Sequence, residues 1–424
     1  MKRIRVAKFV AAAAVAALAA CSAPQPGLLK ADGVERESAD RAAYSAELMM
    51  LRDSALKLGE ALLADGGDGA SGNVVSSPGG LLIALAMLRA GAAGETAAEM
   101  DAVLELPRLK RDEAMNALLA SLQKFDGDPA SVDEGNPPRK PVMHPANGLF
   151  VDRGVETGAA YLDTLARHYG TGVYPVDFSD EAVTKPAIDA WVEKNTGGRI
   201  TKAPAEYDRR NTFSLLNTLY FAAAWKSPFD PGSTFDMPFT TAAGGEISSP
   251  AMHNLLQLKY AEGPGWRGVD LPYAEGFVMR LVLPDDGAGK GTVLTAKELG
   301  NIAVVMDSAQ RKTVQIQLPK WDHRCSFDLR QVLGAMGLTN TLNTTVGFNA
   351  IQQDFAITQA AQAANITVAE KGTVAAAVTQ FNGMVTSAPP QPDRTIEFDR
   401  PFHYQIVHVE TGLPLFMGTV ADPR

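Results

Sequence analysis

The sequence predicts an α+β fold. Helix-period and strand-like runs follow one another irregularly, with no internal repeat and no regular βα rhythm. From about residue 225 onward the pattern turns largely to strand. Hydrophobic residues make up 46% of the chain and charged residues 21%, enough to bury a sizeable core.

The first element lies outside that fold. Lys2, Arg3, Arg5 and Lys8 form a basic region, followed by the apolar run FVAAAAVAALAA, which is too short to span a bilayer. The run ends at Cys21. Leu18-Ala19-Ala20-Cys21 resembles a bacterial lipobox, in which cleavage before the cysteine leaves it to carry lipids; an ordinary signal peptide is the alternative. Ser22 resembles the outer-membrane sorting pattern. Residues 1–20 are thus expected to be a lipoprotein signal peptide, 21–40 a lipidated tether and 41–424 one folded domain. That predicts an exported protein held on the cell envelope, at the outer membrane, facing periplasm or exterior.

Losing Lys2, Arg3, Arg5 and Lys8 would take the net charge from −9 to −13, which argues against a nucleic-acid partner. Cys325 would be the one remaining thiol, so neither a disulfide nor a cysteine-rich zinc site is expected. His144, His168, His253, His323, His403 and His408 show no metal-ligand spacing, and read as surface or packing residues.

The domain's elements follow in order. Tyr44, Leu48, Leu51, Ala55, Leu58 and Leu62 recur at helical spacing over residues 41–63. A β-branched run leads to Ser77-Pro78, a natural helix start, and the helix after it is apolar nearly all round, as for a buried one. Gly91 to Gly94 ends it, and a short helix opens at Glu95. Residues 124–145 are polar and proline-rich and read as an exposed loop. Residues 146–151 read as strand, 161–169 as helix, 173–178 as strand and 188–194 as helix. Residues 213–223 form a continuous apolar strand of the kind buried on both faces. Further strands are expected at 257–261, 266–272, 277–284, 313–319, 366–369, 395–398, 403–408 and 415–420, with helices at 296–304 and 328–338. Ser54 and Lys57 have the spacing of a serine–lysine hydrolase pair, but no supporting motif follows, and the pair reads as chance on a surface-facing helix.

Several stretches, in this order, resemble the serpin family. They are NVVSSPGGLLIALAML with GAAGETAAEM, ANGLFV, FSLLNTLYFAAAWKSPFD, VDLPYAEGFVMRLVLP, VQIQLPKW, FDLRQVLGAMGL and RPFHYQIVHVETGLPLFMGTVADP, covering residues 42–424. The resemblance implies a serpin fold, with several helices around three β-sheets and an exposed reactive-centre loop at about 370–394. It implies no catalysis by this chain. The chain would be a monomeric suicide inhibitor that forms a covalent complex with a serine protease and needs no cofactor or metal. The alternative is a non-inhibitory serpin acting as a binding protein or as a protease substrate.

The family's hinge motif matches Glu370, Gly372, Thr373, Ala375, Ala376, Ala377 and Thr379 here. In a strand, Thr373, Ala375, Ala377, Thr379 and Phe381 share one face. A segment that inserts into a packed sheet needs small, uncharged residues there, because overpacking costs about 1–3 kcal/mol per site and an unpaired buried charge costs more. Gly372 would let the backbone pivot; Val374, where many family members carry Glu, would face outward, and Val378 departs mildly from the all-small run. Counting from Glu370 as the family does places the reactive bond at Thr386-Ser387, with Met384, Val385 and Ala388 as alternates. That environment suits elastase-, chymotrypsin- or subtilisin-like proteases rather than trypsin-like ones. The family's shutter and breach positions fall on Ser77, Pro78, Asn217, Trp225 and Gln362. Two of its usual residues are changed: Gly80 replaces a serine and Gln362 a histidine, so insertion is expected with altered kinetics.

Overall fold

Residues 213–224 are largely apolar on both faces, and all twelve are buried in one strand. The fold is built around it. The computed structural model describes residues 25–204, 207–285, 294–373 and 391–424. The elements are α1 (Ser45–Asp65), β1 (Val74–Ser76), α2 (Pro78–Ala90), α3 (Gly94–Val103), α4 (Arg111–Gln123), β2 (Val142–Asp152), α5 (Ala159–Thr164), β3 (Tyr174–Val176), α6 (Glu181–Asn195) and β4 (Phe213–Ala224). There follow β5 (Phe235–Thr240), β6 (Glu246–Gly263), β7 (Trp266–Pro272), β8 (Phe277–Pro284), α7 (Ala296–Ser308), β9 (Arg311–Pro319), β10 (Trp321–Asp328), α8 (Leu329–Met336) and α9 (Thr339–Asn343). The chain closes with β11 (Gln359–Ala369), β12 (Gly372–Thr373), β13 (Arg394–Glu397), β14 (Phe402–His408) and β15 (Pro414–Val420).

Among the described residues the strands form two hydrogen-bonded networks rather than three separate sheets. One runs β10-β11-β12-β4-β2-β3. The other runs β1-β15-β14-β8-β7-β6-β9-β13, with β5 on β6. The larger network is continuous because β6 spans eighteen residues and pairs with β5 at one end, β7 at the other and β9 through its middle, from Ala251 to Lys259.

Alternation decides which face is which. Leu215, Leu219, Phe221 and Ala223 of β4, with Ala360, Ala364, Ile366 and Val368 of β11, join the main core on the α2 side. Leu216 and Ala361 point the other way, into a cluster with Ile188, Trp191 and Val192 of α6. Thus α2 backs the inner face of the six-stranded sheet, and α6 covers the outer face.

The region expected as a lipidated tether is seated on the fold where it is described. Leu29 exchanges both backbone hydrogen bonds with Val173, at 2.8 and 3.0 Å. Arg36 donates to Asn116 Oδ1 at 2.6 Å and to its carbonyl at 2.9 Å. The loop expected at 124–145 is also engaged, and β2 begins at Val142 rather than at 146. Ser54 is buried rather than surface-facing, its hydroxyl donating to Met50 O, while Lys57 meets Glu105 at 2.6 Å, so the pair forms no site.

Candidate functional site

The site is an opening in the six-stranded sheet. β11 and β4 are directly paired and parallel from Gln359–Ser214 to Ala363–Thr218. Above that point they part. Residues 364–367 of β11 and 219–222 of β4 have no ladder partner between them among the described residues. At the top, β12 fills the space: Thr373 lies between Val368 and Ala223, and Gly372 between Ala369 and Ala224, antiparallel to both neighbours.

The register is the same above and below the opening. Paired residues of β11 and β4 differ by 145 in number in the lower part, and so do Val368 and Ala223 across Thr373. A strand continuing from β12 would therefore meet both flanks in phase, without slip of either.

Each hinge residue described has a physical reason to be where it is. A Cβ on Gly372 would lie 2.1 Å from the Ala223 carbonyl oxygen. Glycine is needed there for close approach to β4, and its backbone lies outside the left-handed region. Thr373 is 1% exposed and shares a hydrogen bond with the Tyr273 hydroxyl, so it already faces the core. Glu370 accepts from Thr234 at 3.0 Å and pairs with Lys320 at 3.1 Å. Its carbonyl accepts from Phe229 N–H, and that of Lys371 from Trp225 N–H. Trp225 is fully buried, stacks on Tyr273 with ring centroids 4.4 Å apart, and donates from its indole to Ala369 O at 2.9 Å. These contacts fix the point where the chain leaves β11 and turns into β12.

A second cluster ties the lower end of the opening. Gln362 Oε1 accepts from Ser77 N–H at 2.9 Å, and its Nε2 donates to Ser77 O at 2.9 Å and to Asn217 Oδ1 at 2.7 Å. Asn217 donates in turn to Asn147 Oδ1 at 2.7 Å. Ser77, Asn217 and Gln362 are all buried, and Pro78 opens α2 with Ser77 capping it. Gly80 belongs to the same design. A Cβ there would stand 2.7 Å from Ser77 Oγ and 2.9 Å from Asn217 Nδ2. The two departures from the family pattern, Gly80 and Gln362, thus meet on one asparagine.

The structure brings together Ser77, Pro78, Asn217 and Gln362 at one end of the opening, and Glu370, Gly372, Thr373 and Trp225 at the other. Ala375, Ala376, Ala377, Thr379, Met384, Val385, Thr386, Ser387, Ala388 and Cys21 lie outside the described residues. Sequence reading does not single out Tyr273, Asn147, Arg199 or Glu134. Tyr273 carries a signal, as a tyrosine directly after the run that forms β7; the others meet the site only through the fold.

The family model for serpin (serine protease inhibitor) matches residues 51–423. The chain belongs to the serpin family. It is similar to alpha-1-antiproteinase of Rattus norvegicus, 28% identical over 361 residues, covering 83% of this chain and 84% of that one. It is also similar to an uncharacterized serpin-like protein of Thermococcus kodakarensis, 31% identical over 366 residues, covering 84% and 82%. Among solved structures, the thermophilic serpin tengpin in its native state superposes with a TM-score of 0.77 at 23% identity, covering 94% of this chain and 100% of that one. Thyroxine-binding globulin in complex with thyroxine superposes with a TM-score of 0.74 at 24% identity, covering 89% and 99%. The last two likenesses concern the fold alone.

Proposed function

We propose that this serpin is an irreversible inhibitor of serine proteases. One observation carries the reading: the hinge is already seated at Gly372 and Thr373, and the strands below it are held in the register an inserted strand needs. Continuing that register puts Ala375 between Ile366 and Phe221, Ala377 between Ala364 and Leu219, and Thr379 between Gln362 and Asn217. Small side chains at the first two of these inward positions suit a core that is already packed.

The protease serine oxygen attacks the carbonyl carbon of Thr386 in this reading. The Thr386–Ser387 C–N bond breaks, the new amine of Ser387 takes the proton, and an ester to the protease remains. The freed segment then zips into the opening, gaining ladder hydrogen bonds and apolar burial, and draws the protease with it before water cleaves the ester. Loop insertion in this family is an instance of strand addition with release of stored strain, which requires a kinetically trapped starting fold. Met384, Val385, Thr386 and Ala388 favour elastase-, chymotrypsin- or subtilisin-like partners. We further propose a monomer anchored through lipid on Cys21 at the bacterial outer membrane, a reading supported by the basic and apolar leader before that residue.

The test is incubation of residues 21–424 with elastase-, subtilisin- and trypsin-like proteases, followed by denaturing gels and mass spectrometry. A covalent complex with one of the first two, and a cut between Met384 and Ala388, is expected. Clean cleavage with no complex would leave a non-inhibitory serpin. Mass spectrometry of the chain expressed in a bacterium checks the lipid, whose mass Cys21→Ser should abolish.

A further inference from the structure

We propose that Arg199, held in place by Glu134, is a latch over the upper part of the opening, and that its release sets the rate of strand insertion. This rests on the insertion mechanism proposed above.

The outer face of the opening is covered by two different pieces. α6 packs over Leu216 and Ala361, where β11 and β4 are still paired. The part above, where residues 364–367 and 219–222 have no ladder partner between them among the described residues, is covered by residues 129–138, between α4 and β2. Val132 of this segment packs on Tyr220 and Ala222 of β4. Pro138 O accepts from Ala224 N–H at 2.9 Å, and Gly135 O accepts from Lys371 Nζ at 2.8 Å. The segment is thereby pinned to β4 and to the hinge.

Arg199 completes the span to β11. Its Nε donates to Glu134 Oε1 at 3.0 Å, and its Nη1 donates to Thr367 Oγ1 at 3.0 Å. Thr367 donates onward to Asp322 Oδ1 at 2.7 Å. The Arg199 side chain is only 12% exposed although it carries full charge, so it lies on the fold rather than waving above it. Both flanks of the opening and the hinge are thus joined through one short segment and one guanidinium.

The bond to Thr367 stands one position below the Val368–Thr373 pair. In the inserted state, continuing the β12 register would place residue 374 between Thr367 and Ala222, with its side chain on the outer face, where Arg199 and Val132 sit. A valine arriving there must displace the guanidinium from Thr367. A charge-assisted hydrogen bond of this kind, lost on the way to insertion, commands about tenfold in rate.

A synthetic peptide of residues 374–386 tests this without any protease. Its uptake by the folded full chain is followed by a fluorescent label on the peptide. Arg199→Ala and Thr367→Val are each expected to take it up about tenfold faster than the unaltered chain, while Arg199→Lys stays nearer the original rate. Equal or slower uptake by Thr367→Val, which removes one hydroxyl and no charge, overturns the latch even if Arg199→Ala fails to fold. A merely structural role would lower the melting temperature of Thr367→Val without raising its uptake rate. If no variant and not even the unaltered chain takes up the peptide, the insertion mechanism itself fails, an outcome distinct from uptake at equal rates.

Discussion

Gln362 Nε2 donates to Asn217 Oδ1 at 2.7 Å, joining β11 to β4 within the part of the sheet where the two strands are still directly paired. An inserted strand must separate these two residues. On the proposed mechanism their bond belongs to the starting state only, and its strength bears on how long that state lasts.

Gln362→Ala removes three buried hydrogen bonds and leaves Ser77 N–H without its acceptor. It should cost about 2–4 kcal/mol of stability, read by urea unfolding. The same variant should insert the loop faster, because the tie between the flanks is gone.

Gly80 and Gln362 should behave as a coupled pair. Gly80→Ser alone places its Cβ against Ser77 Oγ and Asn217, and should cost about 1–3 kcal/mol. Combined with Gln362→His, which frees Asn217 to move, the cost should fall below the sum of the two single changes. A double-mutant cycle reads the coupling directly, and additive costs would show that the two sites are independent.

Thr373→Arg should shift the proposed inhibition toward substrate behaviour. Thr373 is already buried between Val368 and Ala223, so an arginine would bring an unpaired charge into the core. The measured quantity is the ratio of cleaved chain to covalent complex, which should rise sharply.

Stability should fall as pH drops from about 6.5 toward 4. His403 and His408 lie on β14, and burial pushes the pKa of each down to about 4. Both are neutral in the fold, whereas the unfolded chain takes up protons below about 6.5. Their stabilisation is present above the unfolded value and is lost as pH falls through the folded one, on the order of 3 kcal/mol each. His144 works in the opposite sense. Burial pulls its pKa down, but hydrogen bonds to Asp126 and Asn195 outweigh that and leave it raised. Its contribution is complete below the ordinary histidine value and lost as pH rises through the raised one. Melting temperatures between pH 4 and 7 check this, and His403→Gln should flatten the slope.

Long apolar or cleanly periodic stretches are legible in the sequence itself. The apolar run at 213–223 forms β4 almost residue for residue, and Ser77-Pro78 opens α2 as its chemistry requires. β10 is not legible although its burial alternates strictly at first, because Asp322, His323, Arg324 and Cys325 do not look like a strand. α4 also escapes a reading by composition, being nearly as polar as apolar. The hinge residues stand out because small uncharged residues in a row are rare in a core strand. The cover at 129–138 reads as an exposed loop, since its partners Arg199, Ala224 and Lys371 are far away in sequence. Composition alone does not show which distant carbonyl a lysine will reach.

The most direct test is an experimental structure of the chain after a protease has cut it within residues 384–388. The account predicts a new central strand from Thr373 onward, antiparallel to β11 and β4, with Thr379 lying between Gln362 and Asn217. Finding Gln359–Ala363 still paired directly with Ser214–Thr218 after cleavage would contradict it.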